Sequence, residues 1–149
     1  MKTYTEGSMP CPFFEPQRPA PDPLHPGARM PLLEEYEGKC HASAEPFRAS
    51  AELRFQCCNH GYSRGTCASF PAAEARSCVR FDILRSDTAA LEILYLEERN
   101  HAPVRWRTIR YVLSTEILEP DLTDVCARAQ VLAFCRSYLR RFSGLRQSK

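Results

Sequence analysis

The chain of 149 residues is 44% hydrophobic, 26% charged and 10% aromatic, which suits one domain with a single core and excludes collagen-like, fibrous and wholly disordered classes. With 20 basic and 18 acidic residues the net charge is +2, too small a field to draw in a polyanionic partner. The informative numbers are 12 prolines, eight of them in the first 31 residues, and eight cysteines.

Residues 1–31 read as an extended, irregular arm, because the closely spaced prolines remove backbone donors and push their neighbours toward extended geometry. Within it, Cys11-Pro12-Phe13-Phe14 is too apolar to stay in water and is expected to dock on the domain. Residues 32–149 form the expected single α+β domain. Its first section, 32–77, is irregular and carries cysteines. A short helix begins near Ser50, a good N-cap, and runs to Cys57-Cys58; Asn59-His60-Gly61 and Ser63-Arg64-Gly65 then signal turns.

Residues 78–113 read as an antiparallel meander of about three strands. Val79, Phe81 and Ile83 alternate with polar residues, 90–97 is apolar on both faces, and 104–112 is rich in β-branched and aromatic residues. A C-terminal helix is expected over 121–142, with Leu122, Val125, Ala129, Leu132, Cys135, Leu139 and Phe142 on the face that covers the sheet. Pro120 and Gly144 flank it as helix ends prefer.

No apolar run reaches the length of a membrane span or a signal-peptide core, so the expected location is the cytoplasm, without membrane association. Thiols in that reducing setting serve as metal ligands, redox groups or small buried hydrophobes. Cys126 and Cys135, on or beside the apolar helix face, read as buried and inert. Cys78 opens a strand and is ambiguous. Cys11, Cys40, Cys57, Cys58 and Cys67 sit in loops, at a helix end or beside Gly and Pro, where backbone irregularity lets thiolates converge.

Four ligands are needed for a zinc ion or a [4Fe–4S] cluster. The intervals of 28, 16 and 8 intervening residues contain no two-residue zinc knuckle, and Cys11-Pro12 matches the Cys-Pro that closes many iron–sulfur ligand runs. The expected site is therefore Cys11, Cys40, one of Cys57 and Cys58, and Cys67, with the cluster favoured over zinc. Arg64, in the loop leading to Cys67, is expected to offset the cluster's negative charge. His41 and His60 lie within two residues of a cysteine and are the alternative ligands of a mixed zinc site, although turn or surface histidines are the plainer reading. His25 and His101 receive no role.

No nucleophile elbow, paired-histidine protease helix or dinucleotide fingerprint is present, so no catalytic set is assigned. Glu34, Glu35 and Glu37 read as a solvated acidic face. Residues 101–149 hold nine basic and four acidic residues, and Arg105, Arg107 and Arg110 alternate beside Trp106 and Tyr111. Such a strand could bind single-stranded nucleic acid, but a charge-protected sheet surface is the favoured reading.

The segments CPFFEP, YEGKCHA, CCNHGYSRGTCASFP and VRFDIL together resemble an uncharacterised family of small bacterial cysteine-containing proteins, across residues 11 to about 112. The resemblance implies that Cys11, Cys40, Cys57, Cys58 and Cys67 belong to one site, and it brings no established activity. Zinc- or iron-chelating bacterial domains with a CC pair are less similar, since their CxxCC spacing is missing. The expected function is metal binding, with electron transfer or redox sensing toward a protein partner if a cluster is held. The alternative is a metal-free or zinc-stapled module that binds a protein or nucleic acid through the Arg-rich C-terminal part.

Overall fold

A computed structural model describes residues 10–22, 31–59, 78–99 and 102–147. Over these the chain is α+β, with two antiparallel sheets and a long C-terminal helix. The single sheet of about three strands expected from the sequence is thus replaced by one of three strands and one of four.

The first sheet starts inside the segment expected to be an irregular arm. Strand β1 (Phe14–Pro19) pairs with β2 (Tyr36–Cys40), which pairs with β3 (Phe47–Arg48), in the order β1-β2-β3. Pro16 and Pro19 are compatible with β1 because it is an edge strand, where a missing N–H breaks no second ladder. The register runs Phe14 opposite Cys40 and Pro16 opposite Gly38, shifts, and resumes with Arg18 opposite Glu37. Gly38 is required there: a Cβ would occupy the space held by the Glu15 carbonyl. After β3, helix α1 (Ala51–Leu53) starts beside Ser50, whose carbonyl accepts the Arg54 N–H at 2.9 Å, and passes into a π-helical turn over Arg54–Asn59.

The second sheet is the expected meander plus a short fourth strand: β4 (Cys78–Ser86), β5 (Ala90–Arg99), β6 (Ala102–Val112) and β7 (Ile117–Glu119), in that order. The Ser86-Asp87 turn forms as the sequence indicates, with Asp87 Oδ1 accepting the N–H groups of Ala89 and Ala90 at 2.8 and 2.9 Å.

Helix α2 (Val125–Gln147) starts four residues later than expected because Asp124, not Pro120, sets its N-terminus, with Asp124 Oδ1 accepting the Ala127 N–H at 3.0 Å, and it continues through Gly144, which does not end it as expected. Its buried surface is also wider than one face. Val125 and Phe142, expected inside, are 55% and 39% exposed, whereas all of Val131–Cys135 is buried. The reason is a second packing partner. Ala127, Val131, Leu132 and Cys135 pack with Val79, Leu91, Ile93, Ile109 and Tyr111 of the four-stranded sheet. Ala133 and Phe134 pack with Phe13, Phe14, Leu32 and Tyr36 of the first sheet and its approaches. Phe81 joins the two groups, its ring 5.3 Å from that of Phe134.

Glu34–Glu37, expected as a solvated face, is instead tied into the fold. Glu35 and Glu37 are buried, and each carboxylate of the run meets an arginine distant in sequence: Glu34 with Arg140, Glu35 with Arg54, Glu37 with Arg18 and Arg48. No helix among the described residues is long and apolar enough to cross a membrane.

Candidate metal centre

Cys11 opens a tight turn, Cys11-Pro12-Phe13-Phe14, closed by the Phe14 N–H on the Cys11 carbonyl at 3.0 Å. The docking expected for this segment is present: Cys11, Phe13 and Phe14 are all buried, Phe14 completely. Three further bonds fix it. The Cys11 N–H donates to the Cys58 carbonyl at 3.1 Å. From α2, the Gln130 side-chain amide donates to the carbonyls of Cys11 and Phe14, both at 2.8 Å.

Cys40 ends β2 directly opposite Phe14, and the next N–H, of His41, donates to the Phe13 carbonyl at 2.8 Å. The two cysteine-bearing segments are therefore held together at this end of the β1–β2 ladder. Cys58 comes from the π-helical turn, a geometry that widens the helix by one residue and occurs often at functional sites. Asn59 holds that turn. Fully buried, its amide donates to the carbonyls of Tyr36 and Arg54 at 2.7 and 3.0 Å, and its oxygen accepts the Tyr36 N–H at 2.8 Å. Arg54, also buried, donates to Glu35 at 2.7 Å and to Asp22 at 2.9 Å.

Cys11, Cys40 and Cys58 thus share one packed group with Phe13, Phe14, Leu32, Tyr36 and Phe134. Cys57 is buried but lies outside that group. Cys67, Arg64 and His60 lie outside the described residues. Among the described residues, no three His, Cys, Asp or Glu side chains form a group able to hold a metal ion. The donor set fits a soft metal in its chemistry, three thiols in a dry apolar wall, and is packed without being drawn to a common point.

The remaining candidates have other roles in the fold. His41 Nε2 hydrogen-bonds Glu15 Oε1 at 2.7 Å. Cys126 and Cys135 are buried on α2, as expected of inert thiols, and burial pushes the Cys135 thiol up to about 12, only partly offset by Arg136. On β6, alternation puts Trp106, 70% exposed, on the face opposite Arg105 and Arg107, whose side carries the buried Ile109 and Tyr111. Arg107 lies 5.5 Å from the Tyr95 ring centroid. Arg110 shares the exposed face of Trp106, so the three arginines of this strand are divided between its two faces.

Gln130 and Asn59, the two carboxamides that fix the cysteine segments, had no role in the sequence reading. Gln130 is one polar residue in the apolar run AQVLAF, and Asn59 follows the cysteine pair directly. No protein-family model, curated protein or solved structure matches the chain.

Proposed function

We propose that the protein binds a metal centre through Cys11, Cys40 and Cys58, with Cys67 as the fourth thiolate and a [4Fe–4S] cluster as the favoured occupant over zinc. The observation that carries the reading is the burial of those three thiols, from three separate stretches of chain, in one packed group. Phe13, Phe14, Phe134 and Leu32 around them would exclude water from a bound cluster, and burial of that kind is one of the factors that set its reduction potential. When bound, a cluster would supply one-electron chemistry, and the role is electron transfer or redox sensing; zinc would act as a structural staple. Arg64 would offset the charge of the thiolates.

Cys58 is preferred to Cys57 because it alone of the pair belongs to the packed group and its carbonyl accepts the Cys11 N–H. The test is metal content of single variants purified anaerobically. Cys11→Ser, Cys40→Ser and Cys58→Ser are expected to lose bound metal, and Cys57→Ser to retain it. Equal retention in all four would overturn the assignment.

A further inference from the structure

We propose that the groove between β1 and α2 is a docking site for an extended acidic segment of a partner protein, with carboxylates on alternate residues. The groove encloses about 570 Å³ and runs beside α2 from Val125 to Arg140, a length of ~22 Å at 1.5 Å per residue. It exists because the helix row facing β1 is small: Ala129 and Ala133 stand across from Pro16 and Pro19.

The next helix row supplies the chemistry. Arg128, Leu132, Arg136 and Arg140 follow one another at intervals of four, so they form a stripe along the groove. Arg18 stands on the β1 wall. Against these four guanidiniums the lining contains one carboxylate, Glu15, which is engaged by His41. The acids that pair with the arginines do not line the groove: Asp121 with Arg128, Glu116 with Arg136 at 3.7 Å, Glu34 with Arg140 and Glu37 with Arg18. All four arginine side chains are between 43% and 69% exposed. The Arg128 and Arg136 pairs are exposed on both sides and therefore weak, so these two guanidiniums can exchange a carboxylate partner readily, whereas Arg18 and Arg140 keep Glu37 and Glu34 and offer their remaining donors.

Spacing identifies the occupant. Along the helix Arg136 and Arg140 are ~6 Å apart in rise and Arg128 and Arg136 ~12 Å apart. In an extended chain, residues two apart on one face are separated by ~6.6 Å and residues four apart by ~13 Å. Carboxylates at positions i, i+4 and i+6 of a strand therefore come into register with the three helix arginines. The intervening side chains of such a segment would point away from the arginine row. Strand addition is not the mode of recognition, because Pro16 and Pro19 offer no N–H at the β1 edge. The proposal does not depend on whether a metal is bound.

The test is titration calorimetry of the full chain with two capped heptapeptides of equal charge, one alternating Glu and Val and one with four Glu followed by three Val. The alternating peptide is expected to bind at least fivefold more tightly. Arg128→Ala and Arg136→Ala, which alter exposed side chains and should leave the thermal midpoint unchanged, are each expected to weaken it by about fivefold, the scale of one exposed charge contact. Arg85→Ala, on β4 outside the groove, serves as the unaffected control. Equal binding of the two peptides, no effect of Arg136→Ala, absence of binding, or a preference for oligothymidine over the alternating peptide would each overturn the proposal.

Discussion

Replacing Gln130 by Leu removes the tie between α2 and the Cys11 turn while keeping a similar volume in the core. The amide loses two hydrogen bonds, to Cys11 and Phe14, together worth about 2–3 kcal/mol in a buried site. Part of that is returned, because Gln130 Oε1 is itself buried with no hydrogen-bond partner, and deleting an unsatisfied acceptor gains about 1 kcal/mol. The Cys11 carbonyl also keeps its bond from the Phe14 N–H. The net loss is about 1.5 kcal/mol, which lowers Tm by about 4–5 °C in a chain of this size.

The same energy eases local opening of the turn, so alkylation of Cys11 should accelerate about tenfold. Mass spectrometry after timed iodoacetamide labelling reads the rate at each cysteine. Ile109→Val is the control: Ile109 is fully buried in the other packed group, its truncation costs about 1 kcal/mol, and it should leave the Cys11 rate unchanged. If Gln130→Leu leaves both Tm and the Cys11 rate unaltered, or if Ile109→Val accelerates Cys11 equally, Gln130 does not hold this turn.

Gly38→Ala places a methyl group against the Glu15 backbone carbonyl, where neither strand can yield without separating; a loss of about 3 kcal/mol is expected from urea denaturation, and a loss below about 1 kcal/mol would contradict the register. Burial alone would raise the Glu34 carboxyl, but hydrogen bonds from Arg140 and Ser137 and the charges of Arg140 and Arg141 outweigh it and hold the carboxyl below its ordinary range. A depressed folded value means that Glu34 contributes stability above the ordinary glutamate pKa, about 4.3, and loses it as pH falls from there through the lower folded value. The stability difference between wild type and Glu34→Gln should therefore be present at pH 6 and close below pH ~4; a difference that widens on acidification would refute the sign. The Cys135 thiol, pushed up to about 12 by burial, should resist iodoacetamide at pH ~8 in the folded protein and react promptly in urea, whereas rapid labelling in the native state would refute its place in the core.

The elements easiest to read from the sequence were those whose partners are close in the chain. Val79, Phe81 and Ile83 alternate because one side of β4 faces α2, and the Asp87 turn joins β4 to β5 locally. Strand β1 was hidden because Pro16 and Pro19 signal irregularity, and only its position at a sheet edge makes them compatible with a ladder to residues 36–40. The width of the buried surface of α2 was hidden for a similar reason: Leu132, Cys135 and Leu139 of the expected face do pack on the four-stranded sheet, but a period-3.6 reading assumes one buried face and carries no sign of a second sheet against Ala133 and Phe134. The carboxylates of residues 34–37 looked solvated because their arginines lie at positions 18, 48, 54 and 140.

The cysteines divided along similar lines. Turn and helix-end positions singled out Cys11, Cys40 and the Cys57-Cys58 pair, and three of these four share a packed group. Which member of the pair joins it depends on the π-helical turn, whose extra residue changes the direction each side chain takes. Helical periodicity carries no sign of that. Nor does it show that one glutamine on a helix more than a hundred residues away would anchor Cys11.

The central claim, a metal centre built on Cys11, Cys40, Cys58 and Cys67, is tested most directly by iron, acid-labile sulfide and zinc analysis of anaerobically purified protein, together with its visible absorption. The cluster reading predicts a brown protein with iron and sulfide near four each per chain, and the zinc alternative predicts a colourless one with about one zinc. A stably folded protein carrying neither metal would contradict the claim.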